Sequence, residues 1–309
     1  MSLADLLLAN APSTLPPHLY SFILGQTPLS ANTVVFGTLA GYLALIFGIQ
    51  AAMKNHPPQR LTTLFQAHNI ILSAGSLLLL VLLLEEIVPI IWKAGIFNAM
   101  CAEASWTPRM EFYYMINYYL KYLELLDTVF LAFKKKPLSF LHVFHHSATA
   151  LLCYSQLIGK TSSSWIIISL NLTVHVVMYY YYYATAGGAK MWWKKYLTMM
   201  QIIQFVIDLF PVYFGTYSYF AATHYDGVIP HMGNCATSDT AALFGCGLLT
   251  SYLGLFINFY LQTYKKTSFE APRTNGVANG HANGSANGHA NSSANGDANC
   301  KANGEMQSD

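Results

Sequence analysis

The sequence predicts an all-α integral membrane protein with seven transmembrane helices, and three observations carry that prediction. Of 309 residues, 54% are hydrophobic and only 10% are charged, against about 25% charged in an ordinary soluble domain. Apolar runs close to the ~20 residues that a helix needs to cross a bilayer recur along the chain. Lys and Arg gather in alternate connections between those runs, as the topology of a multi-span chain requires.

In order, the spans are read as 32–53, 62–84, 110–133, 138–158, 164–186, 196–220 and 239–263. They divide the chain into an N-terminal segment (1–31), a seven-span domain (32–266) and a tail (267–309). The opening "MSLADLLLAN" has neither the basic start nor the small-residue cleavage site of a secretory signal peptide. Lys54 and Arg60 follow span 1, Lys134 to Lys136 follow span 3, Lys190, Lys194 and Lys195 follow span 5, and Lys265 and Lys266 follow span 7. The other side holds only Lys93, Arg109 and Lys160. The positive-inside rule then places the N-terminus in the lumen and the C-terminus in the cytosol. A net charge of +2 with the cations at span ends gives no footprint for nucleic acid. The tail carries a repeated Ala-Asn-Gly tract that has no apolar surface to bury, and is expected to be disordered.

No cysteine pair has zinc-ligand spacing. Cys153 and Cys246 fall inside apolar spans and read as small buried hydrophobes. Cys101 and Cys235 both fall on the lumenal side, where a disulfide and two free thiols are both open outcomes.

Polar clusters interrupt the apolar spans, and ionisable groups at membrane depth are costly and usually functional. In span 3, "KYLELLDT" brings Lys121, Glu124 and Thr128 to one helix face, with Asp127 beside it. A structural ion-pair lock is the plainer alternative. In span 4, "FLHVFHH" sets His142, His145 and His146 at i, i+3 and i+4, so three imidazoles face one way. In span 5, Asn171 precedes His175 by one turn and can orient its ring; Met178, Tyr179 and Tyr182 share that face, while Tyr180 and Tyr183 fit an aromatic belt. In span 6, Thr198, Gln201 and Gln204 form a polar stripe beside Phe205, with interhelical hydrogen bonding as the alternative. His68 and Asn69 add a weaker signal in span 2. The assigned topology puts all of these in the cytosolic half of one bundle.

Histidine boxes in a membrane protein raise the question of a metal. The spans offer only His68, His142, His145, His146 and His175, too few for a di-iron centre of about eight histidines; a single-metal lipid oxygenase or desaturase remains the alternative. Without a metal, imidazole is a general base or a nucleophile near neutral pH. Acyl transfer then fits a membrane site, with no cofactor.

In order and spacing, the four clusters resemble the signature of the very-long-chain fatty acid elongases, the ELO family of 3-ketoacyl-CoA synthases. K-x-x-E-x-x-D-T is matched by Lys121, Glu124, Asp127 and Thr128, and H-x-x-H-H by His142, His145 and His146. H-x-x-M-Y-x-Y-Y is matched by His175, Met178, Tyr179, Tyr181 and Tyr182, and T-x-x-Q-x-x-Q-F by Thr198, Gln201, Gln204 and Phe205. The family's L-H-N is altered here to Ala67-His68-Asn69. The similarity spans about residues 30–266, and the flanking text is most like fungal members. The resemblance implies condensation of malonyl-CoA with a fatty acyl-CoA, in the endoplasmic reticulum membrane, beside the reductases and dehydratase of the elongation cycle. It implies six spans forming a barrel around an acyl tunnel. It further implies that His145 carries the acyl group, that His175 assists decarboxylation or holds the enolate, and that His142 and His146 orient. Polar support would come from Asn171, Tyr179, Gln201, Gln204 and His68. Lys134, Lys135, Lys194 and Lys195 are placed to meet CoA phosphates, although topology alone also accounts for them.

Overall fold

A computed structural model describes residues 3–8 and 16–265. The tail expected to be disordered lies outside the described residues. Among those described, all regular structure is helical. Two short helices, α1 (Leu3–Leu8) and α2 (Pro17–Tyr20), precede seven long ones: α3 (Asn32–Ala52), α4 (Thr62–Cys101), α5 (Pro108–Phe133), α6 (Phe140–Gly159), α7 (Ser164–Ala186), α8 (Lys194–His224) and α9 (Asp239–Tyr260).

Helix starts follow local chemistry. Thr107 caps α5 by accepting from the Met110 amide, with Pro108 in the first turn. Ser139 caps α6 through the His142 amide, and Ser238 caps α9 through the Ala241 amide. The cap at Ser139 fixes where the histidine box begins. Lys160 ends α6 in the left-handed conformation, at φ 45°.

The seven long helices coincide with the seven expected spans, with one correction. The second span does not stop at residue 84: α4 runs on to Cys101, broken only by non-helical Gly95 at φ 81°. Glu85 and Glu86 end the apolar run, yet the helix continues because both carboxylates are partnered. Glu85 accepts from the Leu3 and Ala4 amides, and Glu86 accepts from the Thr107 hydroxyl at 2.9 Å.

Five helices are long and apolar enough to cross a membrane: Asn32–Asn55, Thr62–Cys101, Ser164–Ala186, Lys194–His224 and Asp239–Tyr264. The other two long helices, α5 and α6, fall short because they carry Lys121, Glu124, Asp127 and the three histidines. This is a multi-pass all-α membrane protein. Its helices α4 to α9 follow one another in contact in the order α4, α5, α6, α9, α8, α7 and back to α4, with a smaller contact between α4 and α8; α3 stands outside against α5. A large apolar core joins α3, α4, α5, α6 and α7, while Phe205, Leu249 and Tyr252 anchor a second core between α6, α8 and α9. At the end remote from the histidines, Cys101 and Cys235 are joined by a disulfide that ties the α4–α5 connection to the α8–α9 connection. The same connection is pinned by the Ala236 amide bonding to the Cys101 carbonyl at 2.8 Å.

Candidate active site

The polar clusters on five helices converge in three linked groups. The first is built on Lys121, which is almost wholly buried. Its ammonium donates to Glu124 Oε1 at 2.9 Å and to Asn171 Oδ1 at 2.7 Å. Because Asn171 spends its oxygen on Lys121, its Nδ2 faces His175 Nε2, 3.2 Å away. An amide nitrogen only donates, so Nε2 must accept and the ring proton sits on Nδ1. That nitrogen lies 3.2 Å from Glu124 Oε1, though off the line of a well-formed hydrogen bond. One ammonium, one carboxylate and one amide thus set the tautomer of a buried imidazole.

The second group centres on Asp127. Its Oδ1 meets His68 Nε2 at 2.8 Å and its Oδ2 accepts from the Tyr179 hydroxyl at 2.9 Å. Next to it, Tyr42 of α3 donates to Thr128 at 2.6 Å. His68 therefore belongs with the other clusters, despite its altered motif.

The third group is the histidine box itself. The rings of His142 and His146 lie 4.4 Å apart and those of His145 and His146 5.6 Å. His145 packs against Tyr252 at 4.6 Å, Phe256 at 5.6 Å and Phe205 at 6.3 Å. Tyr252 also donates to the His145 carbonyl and pairs with Thr149. His142 Nε2, His145 Nδ1 and His146 Nδ1 are buried with no hydrogen-bond partner. Buried polar atoms are nearly always paired, so three orphans on one face mark a place shaped for something else. The first two groups share α5, which carries both Glu124 and Asp127, and α6, whose first turns hold the histidine box, packs against that helix.

The α8 stripe makes its own contacts. Gln201 Nε2 reaches the Met178 sulfur at 3.3 Å, Gln204 donates to Asp208 at 3.0 Å, and Thr198 meets Tyr264 at 3.5 Å. Of the basic residues at this end, Lys134 stacks over the Phe65 ring at 3.8 Å, where burial and neighbouring Lys136 hold its ammonium below the usual lysine range. Lys135 bonds to the Lys54 and His56 carbonyls, and Lys195 lies over Tyr260.

Beyond the histidines, toward the disulfide end, runs a narrow cavity of about 80 Å³. Leu152 and Gln156 of α6, Asn117 of α5, Val212 of α8 and Leu249 of α9 line it, and Thr237 lies at its cap. Among the described residues no three His, Cys, Asp or Glu side chains converge as metal ligands do.

Four contributors escaped the sequence reading. Tyr252 and Phe256 wrap His145, but an aromatic in an apolar helix carries no signal of its neighbour. Tyr42 was equally silent. Asp208, wholly buried in α8, was legible by the rule that singled out Lys121, as a charge at membrane depth one turn from Gln204.

A multi-pass membrane protein with a buried histidine, carboxylate and amide chamber is the class that this fold and site define. Residues 27–271 match the model of the ELO family, described as the GNS1/SUR4 family. The chain is 46% identical over 250 residues to "Putative fatty acid elongase 1" of Schizosaccharomyces pombe, covering 81% of this chain and 75% of that one. It is 37% identical over 236 residues to "Fatty acid elongase A" of Dictyostelium discoideum, covering 76% and 84%. The protein belongs to the ELO family of fatty acid elongation enzymes.

Proposed function

We propose that the protein is a condensing enzyme that joins malonyl-CoA to a long-chain fatty acyl-CoA, giving 3-ketoacyl-CoA, CO2 and CoA. The observation that carries this reading is the set of unpartnered ring nitrogens on the face of α6 that meets the Glu124–His175 pair. A ring nitrogen of His145 attacks the acyl thioester; the carbon–sulfur bond breaks, CoA leaves with a proton, and an acyl-imidazole remains. Malonyl-CoA then loses CO2, leaving an enolate. The enolate carbon attacks the acyl carbonyl, the carbon–nitrogen bond breaks, and the departing imidazole nitrogen takes up one proton from solvent, which restores His145.

Asn171, held by Lys121, keeps the His175 proton on Nδ1, and that N–H is the donor offered to the enolate oxygen. His142 and His146 orient the box, and Tyr179, Gln201, Gln204 and His68 support it. The six-helix order favours a barrel, and the narrow cavity past the histidines favours an acyl tunnel within it. Lys194 and Lys195, at the start of α8, offer charge to the CoA phosphates. The Lys and Arg bias favours a cytosolic histidine end and a lumenal disulfide, and membership of the elongase family favours the endoplasmic reticulum as the membrane. There the 3-keto product passes to the reductases and dehydratase of the cycle.

The test is incorporation of labelled malonyl-CoA by membranes carrying the chain, across a panel of acyl-CoAs, with NADPH omitted. A 3-keto product two carbons longer, lost in His145→Ala protein that remains folded in the membrane, is the expected result. Undiminished activity in that variant overturns the nucleophile assignment, and an oxygen-dependent product overturns the condensation.

A further inference from the structure

A second, wider cavity of about 620 Å³ lies where the end of α3 meets the α5–α6 connection. It opens on the outer side of the six-helix ring, where α3 stands. Its floor is apolar, with Phe47 and Ala51 from α3 and Ala132 from α5. Its rim carries Lys54, Lys135 and Lys136, and no acidic side chain lines it.

The rim is built rather than loose. Lys135 sits in the left-handed backbone region at φ 54°, a cost for any residue with a Cβ. In that conformation its Nζ donates to the carbonyls of Lys54 and His56, each at 3.1 Å. The Gln59 amide bonds to the Phe133 carbonyl at 3.1 Å and closes the same junction. The connection is thereby tied back onto the end of α3, with the Lys135 ammonium fixed at the junction and Lys54 and Lys136 lining the same hollow. Along α3 the hollow continues into an exposed apolar face that carries Phe47 and, three turns away, Phe36. In a membrane-spanning helix such a face meets acyl tails, and a basic pocket at its end sits at headgroup depth.

We propose that this pocket binds the headgroup of an anionic glycerophospholipid, with its tails lying along α3. Charge complementarity favours a phosphate-bearing group, and continuity with the apolar face of α3 favours a lipid over a soluble anion. The site is distinct from the histidine chamber, which faces the inside of the ring.

The experiment uses the full chain in nanodiscs of phosphatidylcholine doped with phosphatidylserine, followed by native mass spectrometry of the released protein. Wild type is expected to retain one phosphatidylserine. Lys54→Gln and Lys136→Gln each lower that retention several-fold, whereas Lys190→Gln, an equal loss of charge elsewhere, leaves it unchanged. Ala51→Trp fills the floor without altering charge and also lowers retention, which separates a pocket from a diffuse basic surface. Equal retention in all four variants overturns the proposal. So does displacement of the lipid by adenosine 3′,5′-diphosphate together with a raised KM for malonyl-CoA in Lys54→Gln, which would make the pocket a CoA subsite. Condensation by the wild type is read separately, so failure here leaves the catalytic reading intact.

Discussion

Asn171 shows how a single side chain at the residue scale governs another. Its oxygen is committed to Lys121 and its nitrogen to His175, so it fixes which imidazole nitrogen carries the proton. Asn171→Ala should lower turnover by roughly 10²-fold or more, the scale of a misplaced proton donor or acceptor, with little change in acyl-CoA KM. Asn171→Asp keeps a partner for Lys121 but offers His175 no amide donor, and should be nearly as slow. Steady-state rates on membranes with matched protein levels check both. Asp208 makes the opposite case. It is wholly buried, with Gln204 on one oxygen and nothing on the other. An unpaired buried carboxyl is a burden to the fold, so Asp208→Asn, which still accepts from Gln204, should hold or raise the thermal midpoint. A clear fall in that midpoint would show that the carboxyl has a partner in the membrane.

At the scale of helices, the close approach of α6 and α9 rests on a missing side chain. A Cβ built at Gly159 would lie 2.5 Å from the Ala241 Cβ and 2.8 Å from the Ser238 hydroxyl. Those neighbours form the first turn of α9 and cannot swing away. Gly159→Val should therefore cost about 1–3 kcal/mol, the usual penalty of overpacking, read as a lower thermal midpoint in detergent. Helix positions were legible from apolar run length, because a span must reach across the bilayer whatever it packs against. The extension of α4 past Glu85 was not, since it depends on Leu3, Ala4 and Thr107 arriving from distant sequence to satisfy two carboxylates. The site was legible for a related reason. Imidazoles, carboxylates and amides at three- and four-residue spacing stand out against an apolar background, whereas Tyr252 and Phe256 do not.

For the whole molecule, the Cys101–Cys235 bridge closes a loop across a sequence separation of 134 residues and joins two connections on opposite sides of the ring. Chain-entropy arguments give such a closure roughly 4–5 kcal/mol. Cys101→Ser should lower the thermal midpoint, and Cys235→Ser and the double variant should match it, because each removes the same bond. A double variant markedly worse than either single would mean that the thiols contribute separately.

The shortfall of α5 and α6 in apolar character bears on how the chain enters the membrane. Each charged residue at the centre of a lone helix costs about 2.5–3.5 kcal/mol to insert, and α5 brings Lys121, Glu124 and Asp127 together. What makes these groups tolerable lies on other helices: Asn171 for Lys121, and His68 and Tyr179 for Asp127. Since Asn171 and Tyr179 are synthesised after α5, that helix is not fully compensated when it leaves the ribosome. The buried polar groups thereby impose an order on biogenesis: α5 must be sheltered, by the translocation machinery or by α4, until α7 arrives to complete its partners.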